Sequence, residues 1–321
     1  MLSRVADSLY WMSRYLERAE HNARVLDVNL QSMLDYSPES SSDRWQRLMQ
    51  GLGADSADTP VPSDAYEVTR VLGFEVESEH SISACVQVAR ENARQVRQQI
   101  SSEMWEQLNG LYLYIRSATI ESIWGGQPHE FFTSIKQGAH LFQGITDSTL
   151  SHGEGWHFIQ LGKYLERASA TARLLDAAFG SAFMSSDSPV DAGEYLESVV
   201  LLKSCTAFEA YCKVYTAEIR RERIAEFLLL NPEFPRSVAF CSSCIKSSLD
   251  AISETTDTAK NCRVNRLAGR LCAFLDFTNI DEVFSGNLHH YLRDVQKQAA
   301  EIHNAVHQLY IEYAIEVALA S

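Results

Sequence analysis

One thirteen-residue phrase occurs twice in this chain. YLERAEHNARVLD at 15–27 and YLERASATARLLD at 164–176 agree at nine of thirteen positions, 149 residues apart. Chance similarity between amphipathic helices accounts for shared Leu and Ala. It does not account for Tyr, Glu, two Arg and Asp recurring at fixed places. Around the first copy, Val5, Leu9, Met12, Leu16, Ala19, Ala23, Leu26 and Leu30 alternate steps of four and three. That spacing lines one helix face for packing against another helix. Phe158, Leu161, Leu165, Ala168, Ala172, Leu175 and Phe179 keep the same register around the second. A fold for this chain must seat two long, similar helices, each with an apolar seam flanked by charges.

The remaining segments carry the same signal. Seven prolines, at 38, 60, 62, 128, 189, 232 and 235, leave long tracts without any. Proline is excluded from helix interiors, because it lacks the N–H and clashes with the preceding turn. The tracts therefore outline helical blocks, and sustained period-two alternation is not evident. The patterning predicts helices near 3–35, 79–100, 102–122, 129–150, 155–180, 191–219, 221–230, 236–254, 258–276 and 284–318. Composition marks 37–42, 51–63, 125–128 and 185–193 as loops.

The repetition reaches beyond the opening phrase. Residues 68–90 align with 224–246 at an offset of 156: Val68 meets Ile224, Leu72 meets Leu228, Glu77 meets Glu233, Ser81 meets Ser237 and Cys85 meets Cys241. FFTSIKQGAHLFQGI weakly resembles YLRDVQKQAAEIHNA at an offset of 160. The expected architecture is an all-α, large helical bundle built from a tandem duplication, with internal repeats 1–150 and 151–321 and pseudo-two-fold symmetry.

Composition narrows the function. A net charge of -14 disfavours nucleic acid and anionic membrane as main partners, and Arg220, Arg221 and Arg223 are too few to make a DNA-binding face. No apolar run approaches the roughly 20 residues of a membrane span, and MLSRVADSLYW has no long apolar segment of the signal-peptide kind. Seven scattered cysteines fit reduced thiols and a cytoplasmic location.

On a helix, residues three, four and seven apart share a face. Glu17, Glu20, Arg24 and Asp27 form one flank of the first seam. Glu166, Arg173 and Asp176 repeat it, with Ser169 in place of Glu20. Arg18 and Arg167 leave the other flank beside Tyr15 and Tyr164. Two readings stand for these charges. In one they form a composite site, with Arg clamping a carboxylate or phosphate and Glu acting as acid or base. In the other they pair across the bundle and fix how its halves pack. CSSC at 241–244 falls inside a helix and reads as small core positions. Glu77/His80, Glu154/His157 and His303/His307 have spacings found in metal-binding bundles. Their sequence contexts do not assemble a complete ligand set, so no metal or other cofactor is expected. Nucleotide-binding glycine loops and the nucleophile elbow are absent.

YLER at 15–18 and 164–167, ARENARQVRQQISSEMWEQLN, SCTAFEAYCKVY and FLLLNPEFPRSV together resemble the bacterial alpha-E domain family over essentially the whole chain, as a single domain of residues 1–321. The resemblance implies company rather than chemistry. Members occur beside, or fused to, a circularly permuted ATP-grasp protein of amidoligase type. A transglutaminase-like peptidase, and in some clusters a proteasome-like peptidase, accompanies them in a system that builds or modifies a peptide and then cleaves it. Carrying the ER motif over gives Glu17, Arg18, Glu166 and Arg167. Three functions follow as expectations: a non-catalytic accessory protein that binds the ATP-grasp enzyme or its peptide substrate, an enzyme of amide-bond chemistry using the ER positions, and a metal-binding bundle.

Overall fold

The structure, a computed structural model, describes residues 1–33, 41–55, 62–179, 192–216, 218–256 and 262–312. Every regular element among them is helical. Fifteen α-helices follow in order: α1 (Ser3–Ser32), α2 (Ser41–Leu52), α3 (Ala65–Phe74), α4 (Ile82–Gln95), α5 (Ser102–Ser117), α6 (Ile120–Trp124), α7 (Pro128–Thr149), α8 (Glu154–Phe179), α9 (Ala192–Ser204), α10 (Phe208–Tyr215), α11 (Arg221–Leu230), α12 (Val238–Thr255), α13 (Arg263–Asp276), α14 (Ile280–Ser285) and α15 (Leu288–Val306). A π-helical turn, His307–Glu312, follows α15. No helix among the described residues is long and apolar enough to cross a membrane.

Several expected boundaries shift. Helices α2 and α3 fall where no helix was expected. Each has a short seam at helical spacing: Trp45, Leu48, Met49 and Leu52 in one, Ala65, Val68 and Leu72 in the other, all buried. The expected helix 191–219 is broken by a turn in which Thr206 adopts a left-handed φ of 50°, a conformation that does not propagate a right-handed helix. The expected helix 284–318 divides at Gly286 into α14 and α15, and its last six residues lie outside the described part. The expected loops 37–42 and 51–63 are only partly described, and the region 185–193 is described only at its end.

Helices α1 and α8 form the centre. They run side by side in the same direction, since Leu9 faces Gly155, Ser13 faces Gly162 and Glu17 bonds Arg167. The seams lie between and around them: Leu9, Met12, Leu16, Ala19, Ala23, Leu26, Leu161, Leu165, Ala168, Ala172 and Leu175 are all buried. Each central helix has its own set of neighbours. Helix α1 packs on α4 and α7, with α5 behind them. Helix α8 packs on α12 and α15, with α13 behind them. In addition α2 packs against α8, and α9 against α1.

Local bonds recur between the two sets. Ser81 caps α4 by accepting from Ala84 N–H, and Ser237 caps α12 by accepting from Phe240 N–H. Asn22 donates to the His80 carbonyl at 2.6 Å, and Thr171 donates to the Arg236 carbonyl at 2.9 Å. These bonds tie the loop before α4 to α1 and the loop before α12 to α8. They set where the residues entering the central cluster can reach.

Candidate functional site

Residues 19–27 of α1 are all buried, and among them are Glu20, His21, Arg24 and Asp27. A helix buried all round is normally apolar, and a charge taken out of water must find a partner. The partners of the buried charges come from α1 itself, from α7 and α8, and from the loop before α12. Glu17 receives Arg167 Nε at 2.6 Å and its second nitrogen at 2.9 Å. It also receives Arg236 at 3.2 Å and Gln143 of α7 at 3.0 Å. Glu166 receives Arg18 Nε at 2.7 Å and Arg14 at 2.7 and 2.9 Å. The ER pair of each central helix is therefore bound to the ER pair of the other: Glu17 to Arg167, Arg18 to Glu166.

The other residues singled out by spacing divide into two groups. Arg24 holds Glu20 in a fork, with two bonds of 3.0 Å, and Arg236 adds a third at 2.9 Å. Arg173 reaches the edge of the cluster, 3.8 Å from Glu166. Asp27 and Asp176 lie outside it. Asp27 joins α1 to α7 through Lys136 at 2.6 Å and His129 at 2.7 Å. Asp176 joins α8 to α15 through His289 at 2.5 Å and Gln296 at 3.4 Å. Spacing did not identify Arg14, Gln143 or Arg236, and it offered His303 only beside His307 as a possible metal pair. Arg14 and Arg236 left a trace in the sequence. Lys163 lies 149 residues after Arg14, the offset of the repeated phrase, so a cation occurs at both positions, and His80 stands opposite Arg236 at the offset of 156.

Electrostatics follow from the geometry. Burial would raise the Glu17 carboxyl, but Arg167 and Arg236 outweigh it and hold the group at about 2. Burial opposes ionisation of Glu166 and Glu20 too, and the arginines around each hold it well below the ordinary carboxylate range. His303 accepts at Nδ1 from Arg14 at 3.1 Å and lies 2.8 Å from the Tyr10 hydroxyl. A guanidinium only donates, so Nδ1 accepts and the ring is neutral with its proton on Nε2. Burial, Arg14 and His307 lower His303 to about 4.

Both groups carry folded-state values below their ordinary ones, 4.5 for Glu17 and 6.5 for His303. Their contribution to stability is complete above the ordinary value and lost as pH falls through the folded one. Thermal melts between pH 7 and pH 3 are therefore expected to fall in two stages. The first begins below 6.5, where the unfolded chain protonates His303 and the folded chain does not, and the second begins below 4.5, where the same holds for Glu17. A melting temperature flat from pH 7 to pH 4 would contradict the His303 assignment.

The remaining sequence candidates are placed as follows. Burial raises the Cys85 and Cys241 thiols to about 12. Each thiol donates to a backbone carbonyl six residues earlier, Glu79 for Cys85 and Pro235 for Cys241, so these are packing thiols rather than thiolates. Glu77 and His80 lie in the turn before α4, where Glu77 is exposed. His303 and His307 stack edge-on at 4.6 Å beside Tyr10 and Trp11. No group of three or more His, Cys, Asp or Glu among the described residues is arranged to hold a metal ion. Arg220, Arg221 and Arg223 each face a carboxylate within 2.8 Å.

Fold and site together define an all-helical domain whose two central helices exchange Glu–Arg pairs. The family model described as a predicted alpha-helical domain with a conserved ER motif, Alpha-E, matches residues 1–311. The chain belongs to the alpha-E family. It is similar to the uncharacterized protein Rv2567 of Mycobacterium tuberculosis (strain ATCC 25618 / H37Rv) and to the uncharacterized protein Mb2597 of Mycobacterium bovis, at 22% identity over 269 residues in each case. That stretch covers 77% of this chain and 29% of each relative, so the chain spans under a third of the length of these relatives. No solved structure matches it.

Proposed function

We propose that this chain is a non-catalytic helical accessory protein of an ATP-grasp amidoligase system, and that its ER motif locks two duplicated halves together. One observation carries the reading: both motif glutamates are fully engaged in buried guanidinium pairs. Glu17 accepts bonds on both oxygens from Arg167, Arg236 and Gln143. Glu166 accepts on both from Arg14 and Arg18. A general base needs an accessible lone pair and a pKa near the working pH, and carboxylates held this low and this enclosed have neither. Bidentate pairs of this kind fix geometry, and buried ion pairs serve register better than net stability.

The duplication is supported by more than the repeated phrase. The matching neighbours of α1 and α8, the Ser81 and Ser237 caps, and the bonds from Asn22 and Thr171 recur at the offsets seen in the sequence. So do the ties from Asp27 to α7 and from Asp176 to α15.

The partner in this reading is the ATP-grasp amidoligase-like protein, with the transglutaminase-like peptidase acting on the same peptide. Co-expression tests it. The tagged chain is expected to capture the ATP-grasp protein of its own gene cluster and to alter that enzyme's ligase rate on added peptide. Capture by Arg18→Ala should fall only in step with its folded fraction. A chain that is folded, captures nothing and leaves the ligase rate unchanged would end the accessory reading.

A further inference from the structure

The two repeats diverge at the counterparts of Glu20 and His140, and a cavity lies where they do. In the first half the Glu20 carboxylate sits between Arg24 and Arg236, with His140 at 3.5 Å. At the corresponding offsets the second half has Ser169 for Glu20, Arg173 for Arg24 and Ala300 for His140. Two side chains are thus cut back while the arginine stays. A cavity of about 580 Å³ lies there between α8 and α15, lined among others by Ser169, Ala300, Arg14, Arg173, Arg293 and Lys297. It adjoins a second cavity of about 530 Å³, with Arg173 and Arg293 in the walls of both.

The first cavity sets a single carboxylate, Asp294, against Arg14, Arg173, Arg293 and Lys297, and Asp55 and Asp176 line the second. Arg173 has a buried Nε with no hydrogen-bond partner, and its nearest carboxylate is the 3.8 Å contact to Glu166, which Arg14 and Arg18 already hold. Its counterpart Arg24 has two bonds of 3.0 Å. His80, the counterpart of Arg236, has a buried Nδ1 that is likewise unpartnered. Arg293 and Lys297 form no ion pair among the described residues, and the one carboxylate in the first cavity, Asp294, faces His290 at 3.6 Å. Across the whole cluster six arginines (14, 18, 24, 167, 173 and 236) share three carboxylates, Glu17, Glu20 and Glu166. Guanidiniums left short of counterions in a chain of net charge -14 form a local anion trap.

We propose that this groove binds a carboxylate ligand, whose carboxylate seats on Arg173 as Glu20 seats on Arg24, with further carboxylates meeting Arg293 and Lys297 along α15. The internal Glu20–Arg24 fork is the template for the contact, and it specifies a planar, two-oxygen anion. Such a carboxylate can come from a free diacid or from the acidic side chains of a peptide. The groove stands on its own geometry and does not depend on the accessory reading.

The test uses the purified chain and calorimetric titration with glutarate, tetraglutamate and inorganic phosphate. Saturable binding of tetraglutamate or of glutarate is expected, and their ratio identifies the source. Binding of tetraglutamate alone marks a peptide; equal binding marks a free acid. Ser169→Glu rebuilds the internal carboxylate, so it should raise the melting temperature and abolish binding. The exposed pair Arg293→Ala/Lys297→Ala should weaken tetraglutamate by about tenfold or more, the effect of losing charge-assisted bonds. It should leave the fold intact and so keep the test open if Ser169→Glu misfolds. Three results would each overturn the site: no saturable carboxylate binding, affinity unchanged in a folded Ser169→Glu, or phosphate bound as tightly as either carboxylate.

Discussion

Glu166→Ala is expected to cost about 3–5 kcal/mol of folding stability, the range for removing one partner of a buried ion pair. The alanine would leave Arg14 and Arg18 facing each other with no carboxylate between them, at side-chain exposures of only 11% and 14%. Urea unfolding followed by far-ultraviolet circular dichroism reads the loss directly. The companion measurement is Arg173→Met. That arginine has no short bond to lose, so its removal should change stability by less than about 1 kcal/mol. The contrast matters more than either number. If Glu166→Ala were as mild as Arg173→Met, the cluster would not be acting as a unit and the lock would be the wrong description of the ER motif.

Gly162→Ala is expected to destabilise by about 2 kcal/mol, for a reason that has nothing to do with charge. Gly162 sits where α1 and α8 come closest. A methyl group there would lie 2.3 Å from Ser13 Oγ and 2.4 Å from the Tyr10 carbonyl oxygen. The serine could rotate away, but the carbonyl belongs to the helix backbone, so the helices would have to part. Overpacking of this kind costs about 3 kcal/mol, more than the roughly 1 kcal/mol gained by replacing a helical glycine. Gly144 on α7 is the control: its added methyl meets nothing within 4 Å, and Gly144→Ala should stabilise by about 0.5–1 kcal/mol. The two variants should therefore move the melting temperature in opposite directions. A gain from both would mean that the helices do not meet at Gly162.

The sequence was most legible where the signal was long. The seam of α1 could be read from Leu9 to Leu26 because steps of four and three continued over several turns, and every residue in that run is buried. Helices α2 and α3 escaped the same reading. They have 12 and 10 residues, and glycines and prolines on either side weigh the region towards loop. At the site, Glu20 and Arg24 could be paired from their i,i+4 spacing alone. Glu17 and Arg167 could not, because contact across 150 positions depends on how two helices lie against each other, and no local rule supplies that. Arg236 was harder still. It precedes the Ser237 cap in a turn, and its reach into the cluster depends on the bond that Thr171 makes to its carbonyl. One mismatch between the repeated phrases, Glu20 against Ser169, lies at a cavity. A departure from an internal repeat carried more information there than the repeat itself.

The exchange of Glu–Arg pairs also bears on how the chain unfolds. The two ER arginines find their counterions on the opposite central helix: Arg18 depends on a carboxylate from α8, and Arg167 on one from α1. An intermediate with α1 ordered and α8 unravelled would lose these pairs and expose the apolar seam between the two helices to water. The exchange therefore disfavours a half-folded state, and the chain is expected to melt as one cooperative unit.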